Sequence, residues 1–281
     1  MILHNTKEKD WIKLLILIAL SVGIMIISVI IGSAIFFLTK NTLLLQAISS
    51  IIMFGGIAYC YYLLYEKQDF LKHTFAHLPK LKDIISAIII LVVSIPAIGF
   101  ISSNDESYND IIAKMIDYHT LLGLFEAIIV MALIPAIIEE WLFRGVVQRL
   151  FIRMAKNYVI GIIMAAAIFS LIHFDMSNFF SRFLMGAILG LIYYYSGNIW
   201  NNIIFHFLNN TMAVITMWID LRNEITDIDY IDTLPVYLAI ISFVLIVLWI
   251  VYSERVYRLS KKEIDNTDEQ KKSFVEENEY N

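Results

Sequence analysis

Apolar residues run in long unbroken blocks, and no block alternates with period two. Eight blocks stand out, at 11–38, 43–65, 83–102, 121–151, 158–174, 179–196, 199–219 and 235–252. Most approach the roughly 20 apolar helical residues that cross a hydrocarbon core about 30 Å thick. The missing alternation argues against a membrane β-barrel. Prolines occur only at 79, 96, 135 and 235, which suits long helices. The first block is too long for a secretory h-region and has no small-residue cleavage site after it, so it is expected to stay in the mature chain. The pattern predicts an all-α, polytopic membrane helix bundle with about eight transmembrane helices. Residues 1–254 form one integral membrane domain, and the charged stretch 255–281 reads as a flexible or loosely helical tail.

Composition narrows the class. The 281 residues are 59% hydrophobic and 17% charged, against about 45–50% and roughly 25% in soluble domains. A soluble single domain is excluded. Nucleic-acid binding is unexpected, because the net charge is −5 and no basic stripe stands clear of apolar sequence. The single cysteine, Cys60, sits in an apolar run and reads as packing. With eight spans, the N-terminal segment, the loop after 65, the turn near 156 and the tail share one side. They carry sixteen Lys and Arg residues, whereas the other side carries four, namely Lys40, Lys114, Arg182 and Arg222. Positive charge collects on the cytoplasmic side, so both termini are expected there. The lipid bilayer is the first partner implied.

Ionisable groups inside spans are costly unless buried in protein and paired. The fourth span carries Glu139, Glu140 and Arg144. Glu140 and Arg144 are four apart, with the acid first, so they can pair on one face. Glu139 is turned about 100° away and points elsewhere. Pro135 removes a backbone hydrogen bond and can kink the helix just before the pair. The fifth span ends at Phe169 and His173, and the seventh holds His206 and Asn210, each pair four apart. Singly, these are a structural ion pair, a hydrogen-bonded histidine and interhelical polar contacts. Together they bring Glu, His, His and Asn to one interior, the parts of a hydrolytic site. A carboxylate takes a proton from water, a second group holds that water, and donors stabilise the oxyanion. His73 and His77, also four apart, read as a solvated or interfacial helix rather than a metal pair.

In this order the three pieces resemble the intramembrane proteases grouped as CAAX-prenyl proteases and bacteriocin-processing enzymes, the Abi or CPBP family. Glu139, Glu140 and Arg144 match its Glu-Glu-x-x-x-Arg motif. Phe169 and His173 match Phe-x-x-x-His, and His206 and Asn210 match His-x-x-x-Asn. The motifs span a core of about 121–219. The resemblance implies an intramembrane endopeptidase that cuts a membrane-associated peptide or protein near the cytoplasmic side. It implies one of two mechanisms. Glu139 and His173 hold and activate water, with His206 and Asn210 as oxyanion site. Alternatively, Glu139, His173 and His206 bind a divalent metal such as zinc, with Glu140 or a neighbour as base. Two His and one Glu suit an open zinc site, though no His-Glu-x-x-His run is present. In either case Glu140 and Arg144 orient the site. Bacterial relatives mature peptides or confer bacteriocin self-immunity, and the Ile-, Asn- and Lys-rich composition points to a bacterial cell membrane.

Two other classes compete. Intramembrane acids and histidines also build proton- or ion-coupled transporters, although no internal repeat is visible. A non-catalytic immunity or scaffold protein could keep the same fold. Depth also poses a question. Glu139 lies about 27 Å along a helix that starts at Leu121, and His173 about 22 Å along one that starts at Tyr158. Counted so, the two meet only if a helix tilts, kinks or enters the hydrocarbon late.

Overall fold

Two of the turns between the helices around the polar residues are two residues long, and both are built alike. Lys156 adopts a left-handed conformation (φ +54°) that stops one helix. The Asn157 side chain then accepts from the amides of Val159 and Ile160 and starts the next. Gly197 (φ +62°) and Asn198, which accepts from the Trp200 amide, repeat the device. Turns this short force antiparallel neighbours.

The computed structural model describes residues 2–65, 78–102, 113–223 and 235–279, with side chains over 10–64, 78–102, 113–223 and 235–263. Among the described residues there are eight long helices and no strand. α1 is Ile2–Thr39. α2 runs through Thr42–Ser50, a wide π-turn at Ile51–Gly55, and Gly56–Tyr65. α3 is Leu81–Ile101. α4 is continuous over Leu121–Ala155, with π-turns at Ile129–Leu133 and Trp141–Gln148. α5 is Tyr158–Leu171, α6 Phe179–Ser196, α7 Ile199–Arg222 and α8 Val236–Glu279.

Six of these, α1 to α4, α6 and α8, are long and apolar enough to cross a membrane. α5 has only 14 residues. α7 has 24, but Asn201, Asn202, His206, Asn209 and Asn210 dilute its hydropathy. The expected fifth span is shorter than its apolar block, because helix α5 ends at Leu171 and His173 lies in the turn beyond it. The charged tail continues α8 as helix to Glu279. His73, His77 and the acidic stretch 224–232 lie outside the described residues.

Outward rows such as Leu15, Val22 and Val29 on α1, and Val244, Val247 and Val251 on α8, are apolar and exposed. In a membrane, lipid covers such rows. Between α5 and α6 the backbones nearly touch. A Cβ on Gly186 would lie 3.2 Å from the Ala166 Cα, and one on Gly190 would lie 2.7 Å from Ile162 Cγ2. Two glycines four apart permit this approach. α3 carries Pro96, which breaks its hydrogen-bond ladder. Ser242 of α8 enters the break, accepting from the Ala97 amide at 3.2 Å and donating to the Val93 carbonyl.

Polar contacts gather several helix ends on one face. Arg153 lies 3.9 Å from Asp10 and 3.4 Å from the Tyr61 hydroxyl. Tyr158 and Tyr195 both donate to Glu254, at 3.0 and 3.1 Å. Among the described residues this basic face collects Lys13, Lys80, Lys82, Arg149, Arg153, Lys156 and the cations of α8. Lys40, Lys114, Arg182 and Arg222 lie toward the opposite ends.

Candidate active site

The α4–α5 hairpin fixes the level of the site. Glu139 stands 17 residues before Lys156 and His173 stands 17 residues after it. Equal arms of a helical hairpin bring such residues side by side. The same register pairs Phe143 with Phe169, whose rings meet edge to face at 5.1 Å. The depth question thus has a simple resolution. α4 is longer than a span requires, so counting from its far end displaces Glu139, whereas counting from the shared turn aligns it.

Glu140 is fully buried and accepts from three donors. Its Oε2 accepts from Arg144 Nε at 2.8 Å and from Asn202 Nδ2 at 3.2 Å. Its Oε1 lies 2.9 Å from His206 Nδ1. A carboxylate can only accept, so Nδ1 carries the proton and Nε2 keeps its lone pair. His173 is set the same way, with Nδ1 donating to the Phe169 carbonyl at 2.7 Å. Both Nε2 atoms face Glu139 Oε2, each at 4.0 Å. Glu139 is buried, and this oxygen has no hydrogen-bond partner.

Three acceptor atoms therefore converge on one small space. Water fits it, because water can give protons to two of them. Two imidazoles and a carboxylate are the donor types of a zinc site, but among the described residues no group of three or more such side chains is placed to hold a metal ion. Metal-binding histidines are held by an acceptor on the other ring nitrogen, as both are here. The 4.0 Å spacing is wider than the about 3.3 Å between ligands of a tetrahedral zinc with bonds of about 2.0–2.1 Å.

Phe169 is the wall behind the site. Its ring lies 5.0 Å from that of His173, 5.9 Å from that of His206, and 5.7 Å from the Arg144 guanidinium. Arg144 is completely enclosed. Its Nε holds Glu140, and the aromatic face adds cation–π attraction.

Five of the six expected residues come together: Glu139, Glu140, Arg144, His173 and His206. Asn210 sits one turn along α7 from His206, with its amide toward the Met131 carbonyl at 3.5 Å. That carbonyl is four residues before Pro135, which has no N–H to offer it. Asn210 thus contacts the backbone of the π-turn just before the proline. Asn202 is the residue that sequence reasoning missed. Its amide bridges Glu140 and the Leu189 carbonyl at 2.6 Å, tying α7 to α4 and α6. The available signal was its place one turn before His206, on the same helical face.

Residues 121–212 match the family model described as type II CAAX prenyl endopeptidase Rce1-like. The matched segment contains all six expected residues. No curated protein and no solved structure matches the chain.

Proposed function

We propose that this protein is an intramembrane endopeptidase of the CAAX-protease and bacteriocin-processing type. It hydrolyses a peptide bond in a membrane-associated peptide or protein of a bacterial cell membrane, with both termini cytoplasmic. One observation carries this: Glu139 Oε2 has no partner and faces two imidazole lone pairs at equal distance. A purely structural ion pair needs only Glu140 and Arg144. The match to an endopeptidase family model over 121–212 supports the same reading.

In this mechanism Glu139 is the base. With His173 it holds a water and takes a proton from it as the oxygen attacks the peptide carbonyl, then returns that proton to the leaving amine nitrogen as the C–N bond breaks. Glu140 accepts from three donors, which hold it in place, so it orients rather than reacts. It fixes the His206 tautomer and balances the charge of Arg144. His206, with its ring held, faces the reacting atoms, whereas the Asn210 amide, one turn further along the same helix, lies on the Met131 carbonyl and must leave it to serve as a donor for the developing oxyanion. If a divalent ion such as zinc is bound, Glu139, His173 and His206 would hold it, and it would supply Lewis-acid polarisation of water.

The test compares peptides released by cells making the wild-type chain with those from Glu139→Gln at matched membrane levels. A peptide or truncated protein found only with the wild type establishes proteolysis and identifies a substrate. Identical profiles across growth conditions would reject it. A flux that depends on a pH gradient and disappears in Glu139→Gln would indicate transport instead.

A further inference from the structure

We infer that Asp175 and Arg182 are positioning residues for the reaction: their ion pair, between the end of α5 and the start of α6, holds His173 opposite Glu139. The inference rests on the proteolytic reading above and deepens it by two groups that lie outside the three motifs.

His173 is not placed by a helix alone. α5 ends at Leu171 and α6 begins at Phe179, so His173 stands second in the connection 172–178. The connections at Lys156–Asn157 and Gly197–Asn198 reverse the chain with one left-handed residue and one capping asparagine. Reversal therefore requires neither the greater length of 172–178 nor a buried ion pair. What sets this connection apart is that it carries His173.

Asp175 organises the connection. Its side chain is 3% exposed and that of Arg182 is 16% exposed. Arg182 Nη1 donates to Asp175 Oδ2 at 2.6 Å and to the Asp175 carbonyl at 3.4 Å. Asn178 donates to the same carboxylate twice, from its backbone amide to Oδ1 at 3.2 Å and from Nδ2 to Oδ2 at 3.1 Å. At the base of the connection, the Ser170 hydroxyl of α5 donates to the Phe179 carbonyl of α6 at 2.6 Å.

The backbone between His173 and Asp175 is strained. Phe174 holds φ +53°, a left-handed conformation that bulky side chains rarely adopt. Such strain persists only where the surroundings over-determine it. The Asp175 contacts hold the chain on one side of Phe174. On the other side, His173 Nδ1 donates to the Phe169 carbonyl at 2.7 Å. Between these anchors the imidazole keeps Nε2 4.0 Å from Glu139 Oε2. Desolvation offsets much of the attraction within a buried ion pair. The pair therefore acts mainly through geometry, by fixing where His173 stands.

The experiment assays the purified full chain on the peptide that wild type cleaves and Glu139→Gln does not, well below the unfolding temperature. The variants are Asp175→Asn, Arg182→Met and the two combined. Tyr158→Phe, which removes a hydrogen bond to Glu254 elsewhere in the bundle, controls for lost stability alone. The combined variant removes both charges, so neither is left buried without its partner. Each single change and the combination should lower kcat by about 10- to 100-fold, the scale of a displacement of about 1 Å in a catalytic group. KM should stay within about twofold of wild type, and the combination should lose no more than the weaker single variant. If the charge variants fail to accumulate, Ser170→Ala cuts the tie at the base of the connection and should show the same split between kcat and KM. A wild-type kcat in the folded combined variant overturns the inference. So does a rise in KM with kcat unchanged, or a loss that follows unfolding temperature across all variants including Tyr158→Phe. Absence of cleavage by the wild type overturns the proteolytic reading and this inference with it, whereas wild-type cleavage with unaffected variants overturns this inference alone.

Discussion

Glu139 and His173 face each other at 4.0 Å because they are equidistant along the chain from Lys156. The turn at Lys156 therefore sets the geometry of a site about 25 Å away along either helix.

That relationship is testable at the turn itself. Lys156 holds φ +54°, which costs a side-chain-bearing residue about 1–2 kcal/mol. Lys156→Gly should raise stability by about 1 kcal/mol and keep cleavage intact, as read by thermal unfolding in detergent and by product formation. Inserting one alanine within α5, after Gly161, rotates the following residues, Phe169 and His173 included, by about 100° against α4. Cleavage should then disappear while the helical content stays the same. An active insertion variant would refute the hairpin register.

The two adjacent glutamates should separate cleanly. Glu139→Gln keeps shape and breaks no hydrogen bond to the oxygen that faces the histidines. It should cut the rate by about 100- to 10,000-fold, the usual contribution of a general base, with little change in unfolding temperature. Glu140→Gln leaves Arg144 buried without its counter-charge, at a cost of about 3–5 kcal/mol. It should lower both stability and activity. The reverse ranking in unfolding temperature would overturn the assignment of Glu140 as the orienting group.

The sequence already contained most of this site, because membrane burial makes polar residues conspicuous. Glu139, Glu140, Arg144, His173 and His206 were legible as charges and imidazoles where lipid was expected. Asn202 was not, since an asparagine between Asn201 and Ile203 near a helix start looks like ordinary interfacial polarity. Only the fold shows its amide against Glu140 and Leu189. The end of α5 was equally hidden. The apolar block runs on to Phe174, but a left-handed Phe174 (φ +53°) and the Asp175–Asn178 turn terminate the helix earlier. The Gly186 and Gly190 pair was readable in principle as a close-packing signal.

Asn202 supplies its own prediction. Asn202→Leu removes the amide bonds to Glu140 and to the Leu189 carbonyl, which keeps only its helical partner, costing about 1–3 kcal/mol. It should also slow cleavage, because His206 is then held by a less firmly anchored Glu140. Thermal unfolding and cleavage by the same purified variant measure the two effects, and unchanged values in both would remove Asn202 from the site.

Chelation discriminates between the two occupants that the converging lone pairs admit. The 4.0 Å spacings exceed those around tetrahedral zinc, so cleavage should survive dialysis against a strong chelator. Activity lost on dialysis and restored by zinc alone would assign the ion to Glu139, His173 and His206 instead.

The Ser242 hydroxyl set into the Pro96 break of α3 bears on how the chain is made. Ala97 and Ser242 are 145 residues apart. During synthesis α3 enters the bilayer with an open rung, and its completing hydroxyl arrives only with the last helix. A chain stopped before α8 therefore lacks the hydroxyl that bridges the Ala97 amide and the Val93 carbonyl beside Pro96. Quality-control proteases that survey membranes would meet truncated chains with α3 already marked as incomplete.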